Sequence, residues 1–127
     1  MTSRRHLTLG EASSALRMGR QVEQYLGVAS GADGRAVVRW VAVGEAHRVF
    51  RLTLHEVEDV GSDDFLDVSE FPPVAQDEEV GEGVVIGTSE EAEGALRLAE
   101  SLGAAPGRWV NQGVVQDEYR DGRRPSG

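Results

Sequence analysis

The side chains that could carry acid–base chemistry are three histidines and 22 acidic residues. His47 and His55 lie at the two ends of one apolar run, about 26 Å apart along an extended strand, so we do not expect them to share a site. The chain has no cysteine, and no serine lies in a nucleophile-elbow motif. We therefore predict no catalytic residue, no metal ligand and no cofactor, and we assign no enzyme activity.

Two acidic or glycine-rich stretches come near to known ligand-binding loops. Residues 59–70 place acids at calcium-loop spacing, but Asp64 stands where the sharp turn needs glycine, and Gly61 offers no ligand. Residues 81–89 are glycine-rich and precede a helix, but they lack the lysine of a phosphate-binding loop. We interpret the first stretch as an acidic turn and the second as an ordinary connection.

The charge of the chain is concentrated in one segment. The formal net charge is −9, and residues 56–93 hold fourteen acids with neither arginine nor lysine. Such a block is typical of a surface that attracts a basic protein by long-range electrostatics. We predict that Asp77, Glu78 and Glu79 contact a basic partner. A solubilising segment is the alternative.

The densest apolar signal lies at residues 35–57 and predicts a central β-hairpin. Pairing Trp40 with Phe50 makes residues 44–46 a three-residue loop. Arg39 and Arg51 then face each other, with Val41 and Val49 beside them, and arginine is favoured at interfaces. This face is a predicted partner surface or homodimer contact. Alternatively, a helix covers it and the arginines pair with the acidic block.

The remaining pattern predicts an α+β domain with a mainly antiparallel sheet of four to five strands. We expect one domain over 1–119 and a disordered tail over 120–127. The other predicted elements are an N-terminal helix at 9–26 with a Thr8–Glu11 capping box, a third strand at 65–71, a mobile acidic loop at 74–83, a short strand at 84–86, a second helix at 89–102 with Thr88 as N-cap, and a last strand at 108–115.

The first residues of the chain also suggest a different function. Leu7, Thr8, Glu11 and Ala12, followed by Arg20 and Gln21, resemble the opening of excisionase-type DNA-binding modules. The resemblance implies a helix-turn-helix that reads DNA, although the spacing to the second helix is one residue short. The net charge of −9 is opposite to that of a phosphate-binding surface, so nucleic acid is the least favoured partner.

The sequence therefore predicts a small acidic protein-binding module, such as an inhibitor, an immunity-type protein or an adaptor, that docks a basic partner protein. The alternative is a small-molecule-binding protein or enzyme whose pocket lies between sheet and helices, lined by Trp40, Trp109, Tyr25 and His55. No apolar stretch approaches the length of a membrane span, and the absence of cysteine suits a reducing compartment. We expect a cytoplasmic protein with no membrane contact.

Overall fold

The computed structural model describes residues 6–31, 34–62, 65–74 and 82–123. Within these ranges the chain forms three helices and five strands. In chain order they are α1 (Leu9–Arg17), β1 (Val22–Ser30), β2 (Ala36–Ala46), β3 (Val49–Glu58), a short 3₁₀ helix (Val68–Glu70), β4 (Val84–Ser89), α2 (Ala92–Glu100), β5 (Val110–Asn111) and α3 (Val115–Arg123).

The five strands form one antiparallel sheet in the order β4-β3-β2-β1-β5. The β2–β3 hairpin lies at its centre, and the predicted α+β class is confirmed. α1 and α2 pack on one face around Leu16, Val41 and Leu96. α3 and the 3₁₀ helix cover the other face around Val38 and Tyr119. Helices therefore cover both faces of the sheet. The face under α1 and α2 is called here the α1/α2 face, and the opposite face is called the α3 face.

The predicted register of the hairpin is wrong. Trp40 pairs with His55, and Ala46 pairs with Val49 across a two-residue turn. The turn residues His47 and Arg48 have φ values of 52° and 69°, as in the type I′ turns whose twist matches that of the flanking strands. The prediction assumed one solvated face, but both faces are buried, so the apolar pattern did not define a single register.

The predicted helix at 9–26 is also wrong in its second half. Its start is confirmed, because Thr8 and Glu11 form the predicted capping box. The helix stops at Arg17, and Gly19 then adopts a φ of +84° while its amide hydrogen-bonds to Leu16 O. Glycine takes this conformation without strain. The chain consequently turns back and continues as β1.

Three more predicted boundaries differ from the structure. Residues 65–71 form no strand, because Asp67 caps the 3₁₀ helix by accepting a hydrogen bond from the Ser69 amide. The predicted strand at 108–115 is reduced to β5, and α3 continues through residues 120–123, which were predicted to belong to a disordered tail. Thr88 lies in β4 opposite Arg51, so Glu91 takes the N-cap position of α2.

Other local predictions are confirmed. α2 lies within the predicted helix at 89–102 and buries Ala92, Ala95, Leu96 and Ala99, and β4 contains the predicted strand at 84–86. The predicted acidic loop at 74–83 lies largely outside the described residues. No helix in the described part of the chain is long and apolar enough to cross a membrane.

Candidate functional site

The predicted arginine pair does not form. Arg39 pairs with Glu56 across the strands, with Nε 2.9 Å from Oε2, whereas Arg51 pairs with Gly44. The two positions are five residues apart along the ladder, so their side chains point to opposite faces of the sheet. Because the register differs, the prediction of facing arginines is wrong. Arg39 instead follows the alternative, in which it pairs with the acidic block.

The valines of that predicted surface are also separated. Val41 has no exposed surface and lies in the core under α1 and α2, while Val49 sits beside the turn at the end of the hairpin. Val37, Val43 and Val57 are buried as well. Val41 and Val43 lie in the core of the α1/α2 face and Val57 in that of the α3 face, so the valines form no common exposed surface. The partner-binding acids Asp77, Glu78 and Glu79 lie outside the described residues.

The proposed DNA-reading segment has a different structure from a helix-turn-helix. Arg20 and Gln21, which would begin the second helix, lead directly into β1. Val22 in that strand pairs with Val43 of β2 and is wholly buried. The resemblance to excisionase-type modules therefore does not extend to their second helix.

An exposed apolar strand edge is the first surface feature that could bind a partner. β4 pairs with β3 on one side, and within the described parts of the chain no strand pairs with its other side. Three consecutive side chains at its start are about half exposed: Val84 at 46%, Val85 at 51% and Ile86 at 45%. Folded proteins usually protect such edges with charge, proline or a covering segment. This surface is called here the β4 edge.

The β4 edge is bordered by acidic residues. Glu82 precedes the strand, and Glu90 and Glu91 follow it, all three with exposed side chains. Glu93 in α2 is neutralised locally by Arg97, whose Nη2 lies 2.7 Å from its carboxylate. The surface thus combines apolar side chains with negative charge at both ends of the strand.

A polar cleft on the α3 face is the second feature. Its volume is about 430 Å³, within the range of small-molecule sites. Its floor is formed by β1, β2 and β3, and its walls by the 3₁₀ helix and the turn that leads into α3. The residues that line it are Gln21, Glu23, Trp40, Ala42, Thr53, His55, Val68, Ser69, Glu82, Gln112, Gly113, Val115 and Gln116.

Glu23 is the most unusual residue of the cleft, because its side chain is charged by type yet the residue is only 9% exposed. Its Oε1 accepts a 2.8 Å hydrogen bond from the Gly113 amide, and its Oε2 lies 3.3 Å from Gln21 Nε2. Burial raises the pKa of Glu23, and these two hydrogen bonds offset part of that rise. Perturbed acids in clefts are enriched at functional sites.

His55 forms part of the same floor. Its ring stacks on Trp40 with 4.6 Å between ring centroids and 2° between the planes. Burial lowers the pKa of His55 to about 4, because the charged form loses hydration. The imidazole is therefore neutral at pH 7 and adds no positive charge to the cleft.

The structure brings together two of the four predicted pocket residues, Trp40 and His55. Trp109 is wholly buried on the α1/α2 face, and its Nε1 makes no hydrogen bond within the described residues. Tyr25 is half-buried on the α3 face but does not line the cleft. Glu23 was missed because it fell inside the predicted helix. Gly19, a residue that often ends a helix, was the available signal that the chain leaves the helix before Glu23.

The described residues contain no group of three or more histidine, aspartate and glutamate side chains placed to hold a metal ion. No family model matches this chain, and neither the curated proteins nor the solved structures searched include a similar one.

Proposed function

We propose that this protein is a protein-binding module whose partner adds a basic, extended segment to the β4 edge. The observation that carries the proposal is the run of half-exposed Val84, Val85 and Ile86 on a strand that has no neighbour on one side among the described residues. Edge strands bind extended peptides through main-chain hydrogen bonds, and alternate side chains supply specificity. An inhibitor, immunity-type or adaptor role in the cytoplasm is consistent with such docking.

The charge around the strand favours a basic partner over a second copy of the chain. Antiparallel self-pairing centred on Ile86 would place Glu82 opposite Glu90 of the copy, and like charges directly opposite are destabilising. A segment with arginine or lysine at both ends would instead meet opposite charge. The acids at 77–79 add to the attraction at long range, because the field of a charged surface steers association.

A pair of matched variants tests this surface. Val85 and Val28 are both valines in strands and both 51% exposed, but Val28 lies in β1, away from β4. Tagged wild type, Val85→Glu and Val28→Glu would each be incubated with a lysate of the organism that encodes the chain, and bound proteins eluted with a salt gradient. We expect one dominant basic protein on the wild type and on Val28→Glu, with at least tenfold less on Val85→Glu.

Glutamate is chosen because its negative charge would strengthen the attraction to a basic partner. A loss of binding by Val85→Glu would therefore show that the apolar side chains of the β4 edge are needed. The reversal of Asp77, Glu78 and Glu79 to arginine tests the electrostatic part. It should weaken the same complex and reduce its dependence on salt. Equal retention by Val85→Glu and wild type, or no specific protein on either, would refute the proposal.

A further inference from the structure

The polar cleft on the α3 face has a lining that selects for one sign of charge. Its polar groups are the carboxyls of Glu23 and Glu82, three glutamine amides, the Thr53 and Ser69 hydroxyls and a neutral imidazole. No arginine side chain is among its described lining residues, although all thirteen basic residues of the chain are arginines. Within the described part of the chain, an anion would meet two carboxyls there and no arginine.

The Glu23 carboxylate accepts hydrogen bonds, but no described cationic side chain neutralises its charge. Its two oxygens interact with the Gly113 amide and the Gln21 side chain, and no described arginine or histidine forms an ion pair with it. A buried carboxylate without a cation retains a large desolvation penalty. The same donors hold both oxygens in fixed positions and would orient them toward a ligand in the cleft.

We infer that the cleft is a binding site for a small organic cation, a primary ammonium on a compact apolar body. The ammonium lies against the Glu23 carboxylate and supplies the missing charge. The apolar body contacts the Trp40 and His55 rings and the side chains of Val68 and Val115. Because His55 is neutral above its pKa of about 4, it does not repel the cation at pH 7.

This site takes a different class of ligand from the proposed docking at the β4 edge, although Glu82 borders both. Its chemistry also predicts a pH dependence. Burial raises the pKa of Glu23, so a proton competes with the ammonium for the carboxylate at low pH. The other ionisable groups among the described lining residues are Glu82 and His55, and protonation of His55 also disfavours the cation. Binding should therefore weaken as the pH falls from 7 toward 4.

The test is a titration of the full chain with benzylamine, a primary amine that stays protonated across this pH range, followed by ¹H–¹⁵N NMR spectroscopy. Benzyl alcohol, which has the same ring without the charge, is the matched control ligand. We expect benzylamine to shift the Gly113 amide resonance and to bind at least tenfold more tightly than benzyl alcohol. Glu23→Gln keeps the acceptor for Gly113 and should weaken benzylamine binding at least tenfold, whereas Glu100→Gln should change it less than twofold.

Two outcomes would overturn the inference. One is equal affinity of the wild type for benzylamine and benzyl alcohol, which would show that the cleft does not recognise charge. The other is a benzylamine response confined to resonances outside the cleft, with Gly113 unmoved. Both are read on the wild-type protein, so the inference remains testable even if Glu23→Gln folds poorly.

Discussion

The Gly113 amide donates a 2.8 Å hydrogen bond to Oε1 of Glu23, although 90 residues separate the two in the chain. The bond ties β1 to the turn that begins α3, and it closes one wall of the polar cleft. Glu23 is thereby fixed in a position where it is largely removed from water and has no cationic partner among the described residues. The contact explains how a buried acid is tolerated in a small domain, and it has a consequence for stability.

Glu23→Gln should stabilise the protein at neutral pH. The pKa of Glu23 is higher in the folded state than the ordinary value of 4.5, so below pH 4.5 the group is protonated in both states and adds no penalty. As the pH rises, the unfolded chain releases its proton first, and the folded state loses stability relative to it. Glutamine keeps an acceptor for Gly113 and removes this penalty. Urea unfolding should show that the variant gains more free energy of unfolding at pH 7 than at pH 4. An equal gain at both pH values would contradict the raised pKa of Glu23.

His55 should make the protein less stable as the pH falls through the mildly acidic range. The pKa of His55 is about 4 in the folded state, against 6.5 for an ordinary histidine. Its contribution to the free energy of unfolding is therefore fully present above pH 6.5 and is lost progressively down to about pH 4. Since His55 is partly solvated, we expect the free energy of unfolding to fall by about 1–2 kcal/mol, which is less than its full pKa shift would give.

His55→Gln is the variant that checks this contribution, by urea unfolding between pH 4.5 and 7. It should flatten the fall of the unfolding free energy toward low pH. Thr53→Ser, a neighbouring change that removes no titrating group, should keep the wild-type slope. If both variants show the wild-type slope, His55 is not the group responsible.

Gly61 should not tolerate a side chain. A Cβ built on this glycine would lie 1.9 Å from the Tyr119 hydroxyl oxygen, and Tyr119 is only 1% exposed and packs edge-on against Phe71. Gly61→Ala must therefore displace a buried ring, at a cost of about 1–3 kcal/mol. Gly107→Ala is the control, because nothing lies within 4 Å of its Cβ position. Thermal unfolding should show a lower midpoint for Gly61→Ala only; equal midpoints would mean that α3 does not pack at this position.

Replacing the hairpin turn should stabilise the protein. His47 and Arg48 both have positive φ values, a conformation that costs an ordinary residue about 1 kcal/mol or more. The pair Asn-Gly favours this geometry, so the double change His47→Asn and Arg48→Gly should raise the unfolding free energy by about 1 kcal/mol. Chemical denaturation measures the gain. A loss of stability would instead favour a hairpin with its loop at residues 44–46.

Local patterns in the sequence were sufficient for several elements. The apolar stripe of Ala92, Ala95, Leu96, Ala99 and Leu102 predicted α2, and the pair Thr8 and Glu11 predicted the start of α1. Both signals act within one or two turns of helix, so neighbouring residues contain all the information needed. The antiparallel hairpin at the centre of the sheet could be predicted for the same reason, since its two β-rich runs are adjacent in the chain.

The register of that hairpin and the two candidate sites depended on tertiary structure. Alternation defines a register only where one face of a strand meets water, and here helices cover both faces, so Val41 and Trp40 are each buried on opposite sides. The cleft joins Glu23 to Gly113, and the β4 edge is open because of the strand order. Local sequence determined α2, the start of α1 and the central hairpin, but it did not determine β1 or α3. Only the packing of distant segments decided which side chains meet, because contacts between such segments leave no periodic signal in either one.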